Sequence, residues 1–457
     1  MQASLSSRRD ILEDVKKSDA AKVKVAVTDI DGVLRGKYLH RDKFLSAADN
    51  GFGFCNVVLG WDSSDVCYDN VSFTGWHTGY PDANVKLDLS TYRRVPWDGG
   101  VPFFLGEFVQ PDGETPLEIC PRQLLKRVIQ RAKDMGFDAA VGVEFEWFNF
   151  RETPESLREK GFVRPHTITP GMFGYSLLRA GQNQAFFNAI MDEMLAFRVP
   201  IEGLHTETGP GVFEAAILYS DPLEAADRAV LFKAGMKDIG GRFGIMPTFM
   251  AKWNEKLPGS SGHIHQSLKN ENGDNVFWGA SDPHKMSATF KHYLAGQMHC
   301  VPEILSLFAP TVNSYKRLVE GAWAPTKVNW GVDNRTTAFR VIPSGPKGTR
   351  LETRVPGADM NPYLAVAAAL ASGLYGIEKK LELPSAPVQG NGYRDESATR
   401  LPSTLHDSAT RLAESRIARE LFGGPFVEHF ANTRLWEWRQ YQAAVSSWEL
   451  ERYFEII

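Results

Sequence analysis

Two glutamates separated by a single residue, Glu144 and Glu146, lie in the apolar segment VGVEFEWFNF. In a β-strand, side chains two residues apart point to the same face. Both carboxylates then share one face, and Val143, Phe145 and Trp147 share the other. Two like charges side by side are unfavourable unless a cation neutralises them. The alternative is a solvated outer face lined with glutamates, and the segment taken alone favours that alternative.

A second pair of glutamates, Glu207 and Glu214, flanks a glycine-rich loop in the segment TETGPGVFEA. A tight turn at residues 209–211 would bring the two carboxylates to one point. A hairpin with two surface glutamates explains the segment equally well, so this pair does not decide the question by itself.

Two histidines, His263 and His265, share a strand face in the segment GSSGHIHQSL, after a Gly/Ser turn. Glu352 lies between Arg350 and Arg354 in RLETRV, which is otherwise typical of a salt-bridged strand. Each segment is a weak signal alone, but together they offer carboxylates and an imidazole, an oxygen-rich set that suits Mg²⁺ or Mn²⁺ rather than zinc. The predicted metal ligands are Glu144, Glu146, Glu207, Glu214, His263 and Glu352.

Basic residues are dense in the same part of the chain as Glu352: Arg317, Arg335, Arg340, Lys347, Arg350 and Arg354. A site that holds both metal and many cations is expected to bind polyanions, such as ATP and a dicarboxylate. The sequence has no GxxxxGK[ST] phosphate loop, which excludes a P-loop enzyme.

The totals agree with a soluble globular enzyme. The chain has 457 residues and a formal net charge of −4, which argues against an electrostatically driven nucleic-acid binder. The four cysteines form no CxxC pair, which argues against a thiolate zinc site, and their small number fits a reducing compartment. The N-terminal segment lacks the apolar region of a secretory signal, and no stretch of 18 apolar residues occurs. We therefore expect a cytoplasmic protein without membrane contact.

Strands and helices must position these side chains, and the periodicity of apolar residues predicts them. The expected strands are 23–30, 33–39, 101–109, 139–149, 212–218, 242–253, 263–268, 337–342 and 350–354. The expected helices are 8–20, 122–136, 183–198, one that begins at Pro222 after an Asp221 cap, 362–381, and most of the last forty residues. Residues 50–105 read as loops and short strands, so a small β-rich unit precedes a larger one, with the boundary near residues 110–120.

The segment VAVTDIDGVL suggests a different chemistry, because Asp29 and Asp31 have the Asp-x-Asp spacing of haloacid-dehalogenase-type phosphatases. The alternative is a hairpin turn, in which Asp and Gly supply the turn geometry. The segment alone does not separate the two. The acidic and basic residues further along the chain favour the turn, since a motif without confirming context is weak evidence.

Taken in order, the motifs resemble the glutamine synthetase family. They are the ExE strand, the E…GxxE loop, GSxGHxHxSL, NSYKRLV, NRTTAFR and RLETRVPGADMNPYLA, which together span most of the chain. The resemblance implies an α+β fold with a β-grasp-like N-terminal domain (1–115) and a catalytic domain (116–457) built on a curved antiparallel sheet flanked by helices. It also implies rings of subunits, a dodecamer, with each active site between two neighbours.

The resemblance assigns roles to the candidate residues. Glu146, Glu207 and Glu214 match the ligands of one metal ion, and Glu144, His263 and Glu352 match those of a second. The residues that match catalytic or glutamate-binding positions are Arg317, Arg335, Arg354 and Gly259, and those that match ATP-binding positions are His265, Ser267, Arg340, Lys347 and Arg350. The implied reaction uses ATP to convert the γ-carboxylate of glutamate to an acyl phosphate, which an amine then attacks.

The sequence departs from the family on the amine side. The family pattern KRLVPGYEAP reads KRLVEGAWAP here, so Trp323 stands where a glutamate that binds ammonium is expected, and Glu320 replaces the proline. An indole cannot accept a proton, but it suits an alkyl group or an organic cation. Asp62 is the best candidate for the small domain's ammonium-site aspartate, and Val212 replaces a common glutamine.

We therefore predict a ligase that joins glutamate to an organic amine, a polyamine or an alkylamine. The alternatives are an ammonia-using glutamine synthetase and a family member that has lost catalysis. For Trp323 itself, the alternative to amine binding is a tryptophan that packs in the core of a relocated flap.

Overall fold

The structure is a computed structural model that describes residues 7–457. The predictions for the N-terminal segment and the first domain lie outside the described residues where they concern residues 1–6. The strands are β1 (Lys22–Thr28), β2 (Leu34–His40), β3 (Phe52–Cys55), β4 (Asp82–Val95), β5 (Val101–Val109), β6 (Asp138–Phe150), β7 (Ile201–Thr206), β8 (Val212–Ile217), β9 (Met246–Thr248), β10 (Gly262–Lys269), β11 (Trp330–Val332), β12 (Phe339–Ile342) and β13 (Arg350–Thr353).

The α-helices are α1 (Arg8–Lys17), α2 (Arg41–Asn50), α3 (Pro121–Asp134), α4 (Pro154–Glu159), α5 (Leu177–Gln182), α6 (Gln184–Ala196), α7 (Pro222–Arg242), α8 (Ala288–Ile304), α9 (Ser314–Arg317), α10 (Gly345–Gly348), α11 (Pro362–Glu378), α12 (Leu405–Glu414), α13 (Arg416–Phe422), α14 (Gly424–Ala443) and α15 (Ser447–Tyr453). None of them, within residues 7–457, is both long and apolar enough to span a membrane.

A five-stranded sheet of order β2-β1-β5-β4-β3 forms the N-terminal part of the chain. Strands β1 and β5 are parallel, and the other neighbours are antiparallel. Helices α1 and α2 cover one face, where Val15 and Phe44 join a buried cluster with Val25 and Phe104. This mixed sheet with helices on one face agrees with the β-grasp-like prediction.

The Asp-x-Asp segment lies in the turn between β1 and β2. One carboxylate oxygen of Asp29 accepts hydrogen bonds from the backbone amides of Asp31 (3.0 Å) and Val33 (2.8 Å). Gly32 has a φ of +80°, a conformation that favours glycine. The other Asp29 oxygen accepts from Arg35 (2.9 Å). These contacts are those of a side-chain-stabilised turn, so the turn interpretation accounts for the motif.

A larger sheet follows the order β11-β12-β13-β10-β6-β8-β7, and β9 pairs with the end of β6. Its neighbours are antiparallel, as predicted, except that β11 and β12 run parallel. The long strand β6 lies at the centre and carries the ExE motif. The α+β fold with a mainly antiparallel catalytic sheet is therefore confirmed.

Helices pack on one face of this sheet, and the charged residues lie on the other face. The rings of Phe145 and Trp147 on β6 pack against Phe232 of α7, with centroid distances of 6.1 and 5.4 Å. The alanine-rich helix α11 is buried along most of its length and lies between α8 and α3. Because the apolar side chains of β6 fill this interface, Glu144 and Glu146 must point to the opposite face.

One predicted strand is wrong. The segment 242–253 was expected to be extended, but α7 continues through Arg242 and only Met246–Thr248 is a strand. Gly244 has a φ of +63°, which turns the chain after the helix, and the segment beyond Thr248 is irregular. Ile245, Phe249 and Ala251 are buried although most of the segment is not a strand, and Phe249 packs on Phe232 of α7. A two-residue alternation does not distinguish such a loop from a strand.

Candidate active site

The register of the larger sheet brings residues from four strands to one place. His263 on β10 lies opposite Glu144 on β6, and Glu146 lies opposite Glu214 on β8. Glu352 on β13 lies opposite His265 on β10. Side chains directly opposite each other on one sheet face are within contact distance. Residues that are more than 200 positions apart in the chain therefore form one acidic cluster.

Glu144, His263 and Glu352 are close enough to bind one ion, since a ligand atom of each lies within 4.8 Å of the others. The Nδ1 atom of His263 is 3.2 Å from the carboxylate of Glu144 and 3.4 Å from that of Glu352. His265 approaches the other oxygen of Glu144, at 3.6 Å. The predicted second-metal set is thus brought together.

Glu146, Glu207 and Glu214 lie beside that set. The turn at Gly209 and Gly211 is closed by the amide of Glu207, which donates to the carbonyl of Val212 at 3.0 Å. One oxygen of Glu146 accepts from the amide of Ser261 at 2.8 Å, which orients the carboxylate. The loop therefore directs the two carboxylates that flank it toward β6, as the sequence suggested.

Two of these carboxylates, Glu207 and Glu214, have raised pKa values. Burial, reinforced by Glu144 and Glu146, raises the pKa of Glu214 to about 8, although His205 at 3.4 Å opposes this. Burial and the nearby Glu146 also raise the pKa of Glu207. Such shifts mark carboxylates whose ionised form is favourable only beside a neutralising cation.

The pKa of Glu352, in contrast, is lowered. Burial opposes its ionisation, but Arg354 and His263 hold its pKa at about 2. Two buried atoms, Nε2 of His263 and one oxygen of Glu207, find no hydrogen-bond partner among residues 7–457. Buried polar atoms normally have partners. Hard divalent cations such as Mg²⁺ or Mn²⁺ suit this site. They prefer oxygen-rich donors, would neutralise Glu207 and Glu214, and would give the two unpartnered atoms a ligand.

Arg317 and Arg354 lie next to the cluster and are almost fully buried. The guanidinium of Arg317 donates to the carbonyls of Val355 (2.9 Å) and Arg354 (3.1 Å) and to the hydroxyl of Ser261 (3.1 Å). Arg354 pairs with Glu352. A Cβ atom on Gly259 would lie 2.7 Å from Cγ of Arg317, so only glycine allows this packing.

Two further arginines, Arg335 and Arg340, lie on and beside β12, near the cluster. Arg340 lies opposite Glu352 in the sheet and donates to it at 2.9 Å and to Asp333 at 2.9 Å. Arg335 is exposed, and its charge lowers the pKa of Glu207. The arginines thus surround the acidic cluster from two sides.

A cavity of about 770 Å³ opens beside Glu144. Four of the five residues predicted to bind ATP line it, namely His265, Ser267, Lys347 and Arg350, whereas Arg340 lies outside the lining. Aromatic side chains that the sequence did not single out, Tyr219 and Trp278, complete the wall. Its volume and mixed polarity suit a nucleotide-sized ligand.

The amine-side candidates lie apart from this cavity. Trp323 is 59% exposed, on a turn where its φ is +58°, so the alternative of a core tryptophan is wrong. Asp62 lies in the N-terminal part and accepts hydrogen bonds from the amides of Ser64 and Val66, each at 2.8 Å. It is neither in the acidic cluster nor in the cavity lining, so one chain does not bring Asp62 to this site.

His205 is a site residue that the sequence analysis missed. It lies opposite Glu214 in the sheet, contacts its carboxylate, and is stacked on Tyr175 with a centroid distance of 4.5 Å. The spacing that identified the other pairs was available here, since His205 and Glu207 are two residues apart.

Comparisons with known proteins agree with this arrangement. The family model described as "Glutamine synthetase, catalytic domain" matches residues 118–453. The chain is 53% identical to type-1 glutamine synthetase 2 of Dictyostelium discoideum, over 98% of this chain and 86% of that protein. The chain belongs to the glutamine synthetase family.

Two further relatives of this glutamine synthetase family member bear on the reaction. The chain is 38% identical to glutamate–isopropylamine ligase of a Pseudomonas species, over 98% of this chain and 97% of that protein. Its fold matches the solved structure of a GmaS/ADP complex with a TM-score of 0.85 and 27% identity, covering 97% and 99% of the two chains. Members of the family are carbon–nitrogen ligases that use ATP, divalent metals, glutamate and an amine.

Proposed function

We propose that this protein is an ATP-dependent ligase that forms a γ-glutamyl amide from glutamate and an organic amine. The observation that carries the proposal is Trp323, an exposed indole at the flap position where the family pattern has an ammonium-binding glutamate. A polyamine or an alkylamine would fit it, and the similarity to an isopropylamine ligase favours a small alkylamine.

Glu146, Glu207 and Glu214 would hold one divalent cation, and Glu144, His263 and Glu352 a second. Bound there, the cations would neutralise the charge of the phosphates and of the transferring phosphoryl group. His263 is suited to this role because burial and the adjacent Arg354 lower its pKa, so the ring is neutral and can donate a lone pair.

The chain's own residues would arrange the reactants. ATP would lie along His265, Ser267, Lys347 and Arg350, with its phosphates toward Glu144 and the cluster. Glutamate would bind near Gly259, Arg317 and Arg354. The Arg317 guanidinium is already held by main-chain carbonyls and that of Arg354 by Glu352, so neither needs rearrangement. Arg335 and Arg340 face the place where negative charge develops during transfer.

The reaction would proceed in two steps. An oxygen of the glutamate γ-carboxylate attacks the γ-phosphorus of ATP, ADP leaves, and an acyl phosphate forms. The amine nitrogen then attacks the acyl carbon, phosphate leaves, and the nitrogen loses a proton. An indole cannot accept that proton, so Trp323 would orient the amine's alkyl group and another base would be required.

We further propose that the protein forms rings, a dodecamer, and acts in the cytoplasm. Asp62 belongs to neither the acidic cluster nor the cavity lining of its own chain, and a ring in which neighbours share a site would let it serve the next subunit.

An ammonia-using glutamine synthetase is the second candidate, favoured by the 53% identity to type-1 glutamine synthetase 2. Purified protein with ATP, Mg²⁺ and glutamate should be assayed for phosphate release with ammonia, methylamine, isopropylamine, ethanolamine and putrescine. We expect kcat/KM for at least one organic amine to exceed that for ammonia by about 100-fold or more, or about 2.7 kcal/mol. Equal or better use of ammonia would support the second candidate, and no glutamate- and amine-dependent release would support a non-catalytic protein.

The phosphatase alternative has its own test. Asp29→Asn keeps the oxygen that accepts from the amides of Asp31 and Val33, so the turn should persist. We expect ligase activity within about threefold of wild type, because the turn carries no group of the acidic cluster. A small-molecule phosphatase activity in the wild type that disappears in Asp29→Asn would contradict the turn interpretation.

A further inference from the structure

Tyr393 connects a distant loop to the segment that carries Trp323. It lies in a short helical turn (Gly392–Arg394) well after α11, and its ring is half-buried. Its hydroxyl donates to the carbonyl of Ala324 at 3.2 Å. One side chain therefore holds the main chain at Ala324, the residue that directly follows the exposed Trp323.

The loop that carries Tyr393 is itself firmly anchored. The buried Lys327 donates to the carbonyls of Tyr393 (2.7 Å) and Asp395 (2.8 Å). Asn329 donates to the carbonyl of Gly392 at 2.9 Å, and the amide of Gly392 donates to the hydroxyl of Thr336 at 2.8 Å. Thr336 directly follows Arg335, so the loop braces both the Trp323 segment and the loop that carries a phosphate-facing arginine.

The charges around Tyr393 place it at the edge of the candidate site. Burial raises its pKa, while Arg354 and Arg317 lower it and Glu320 raises it. The hydroxyl therefore remains protonated at neutral pH and can act as a donor to Ala324. The proposed glutamate-binding residues Arg317 and Arg354 are therefore among the charges that act on Tyr393.

We propose that Tyr393 is a positioning residue that determines amine specificity: its hydroxyl holds the Ala324 carbonyl and thereby the turn that carries the Trp323 indole, which forms one wall of the amine site. This inference rests on the proposed function. The backbone of Trp323 adopts a left-handed conformation that non-glycine residues rarely occupy, so an external contact is needed to hold it. The Tyr393 hydroxyl is positioned to provide that contact.

A double-mutant cycle tests the inference, using Tyr393→Phe, Trp323→Ala and the combined variant. Phenylalanine keeps the ring packing and removes only the hydroxyl. We expect Tyr393→Phe to raise KM for isopropylamine about 5- to 10-fold, which corresponds to one lost hydrogen bond of about 1 kcal/mol, with KM for ATP and glutamate within about twofold. In the Trp323→Ala background the same change should alter KM for the amine less than about twofold, because the residue acts through the indole.

Tyr38→Phe is the matched control, because it also removes one tyrosine hydroxyl hydrogen bond, to Asp98 at 2.6 Å, but in the N-terminal sheet. Additive effects in the cycle, or equal increases in KM for ATP and glutamate, would overturn the inference. If the wild type uses only ammonia, the proposed function fails while the inference remains testable. In that case Tyr393→Phe should raise KM for ammonia when Trp323 is present and should not raise it in the Trp323→Ala background. An unchanged KM in both backgrounds would exclude the positioning role of Tyr393.

A measurement without turnover complements the cycle. The fluorescence of Trp323 can be isolated as the difference between each protein and its Trp323→Phe counterpart. We expect acrylamide to quench this signal more strongly in Tyr393→Phe than in wild type, because the released peptide lets the indole move. Equal quenching in the two proteins would show that the hydroxyl does not position Trp323.

Discussion

Replacing Glu214 by glutamine is expected to lower ligase activity by at least about 100-fold while leaving the metal-free protein as stable as wild type, or more stable by about 1–3 °C in melting temperature. Activity and stability are expected to change in opposite directions. Without metal, Glu144 and Glu146 repel the Glu214 carboxylate, whereas a bound cation would need it as a ligand. Burial and these neighbours raise its pKa to about 8, so the ionised form is unfavourable in the metal-free fold. Glutamine keeps the shape and removes the charge.

The pH dependence of stability gives the same test a second readout. The pKa of Glu214 rises from an ordinary 4.5 to about 8 on folding, so between these values the folded protein retains a proton that the unfolded chain has lost. Without metal, this group's contribution to stability is complete below about pH 4.5 and is lost as the pH rises toward 8. Glu214→Gln should therefore reduce the loss of melting temperature between pH 5 and 8.

Thermal melts with and without Mg²⁺ measure both effects. Mg²⁺ should stabilise the wild type, because a ligand that binds only the folded state shifts unfolding, and should stabilise Glu214→Gln much less. The exposed Glu159→Gln on α4 is the matched control and should behave as wild type. The metal assignment would be wrong if Glu214→Gln retained both full activity and full Mg²⁺ stabilisation.

The sequence allowed the individual faces of the site to be predicted, because alternation along a strand is a local property. Glu144 and Glu146 do lie on the face opposite Phe145 and Trp147. The pairing of β6 with both β10 and β8 is a contact between distant segments, so periodicity alone could not show that His263 and Glu214 lie opposite these glutamates. The order of the family motifs supplied that information.

Two features could not be predicted because they depend on what surrounds a side chain rather than on its type. Arg317 was expected only as a cation for substrate, yet its guanidinium also holds the carbonyls of Arg354 and Val355. The Ala324–Tyr393 hydrogen bond joins residues that are 69 positions apart and belong to no common motif. Contacts of this kind require the folded chain, since no local pattern marks them.

Replacing Trp323 by glutamate is expected to reverse the amine preference. The change places a carboxylate where the family pattern has one, and a carboxylate can pair with ammonium and accept its proton, whereas an indole can neither carry negative charge nor accept a proton. We expect the ratio of kcat/KM for isopropylamine to that for ammonia to fall by about 100-fold or more, equivalent to about 2.7 kcal/mol. The exposed position of Trp323 makes the substitution tolerable for folding, so the melting temperature should change by no more than about 2 °C.

Two controls separate charge from size and from a general effect of added acid. Trp323→Gln has nearly the same length as the glutamate variant but no charge, so it should lose organic-amine activity without gaining use of ammonia. Trp448→Glu changes a tryptophan of the same 59% exposure on α15, and its amine preference should match wild type. Trp323→Glu could leave the ratio unchanged while the Tyr393 cycle still shows coupling to Trp323. The indole would then shape the amine site, but the missing carboxylate would not be what separates this protein from ammonia-using relatives. If the ratio is unchanged and the cycle shows no coupling, other residues select the amine. Asp62 of a neighbouring subunit is then the next residue to test.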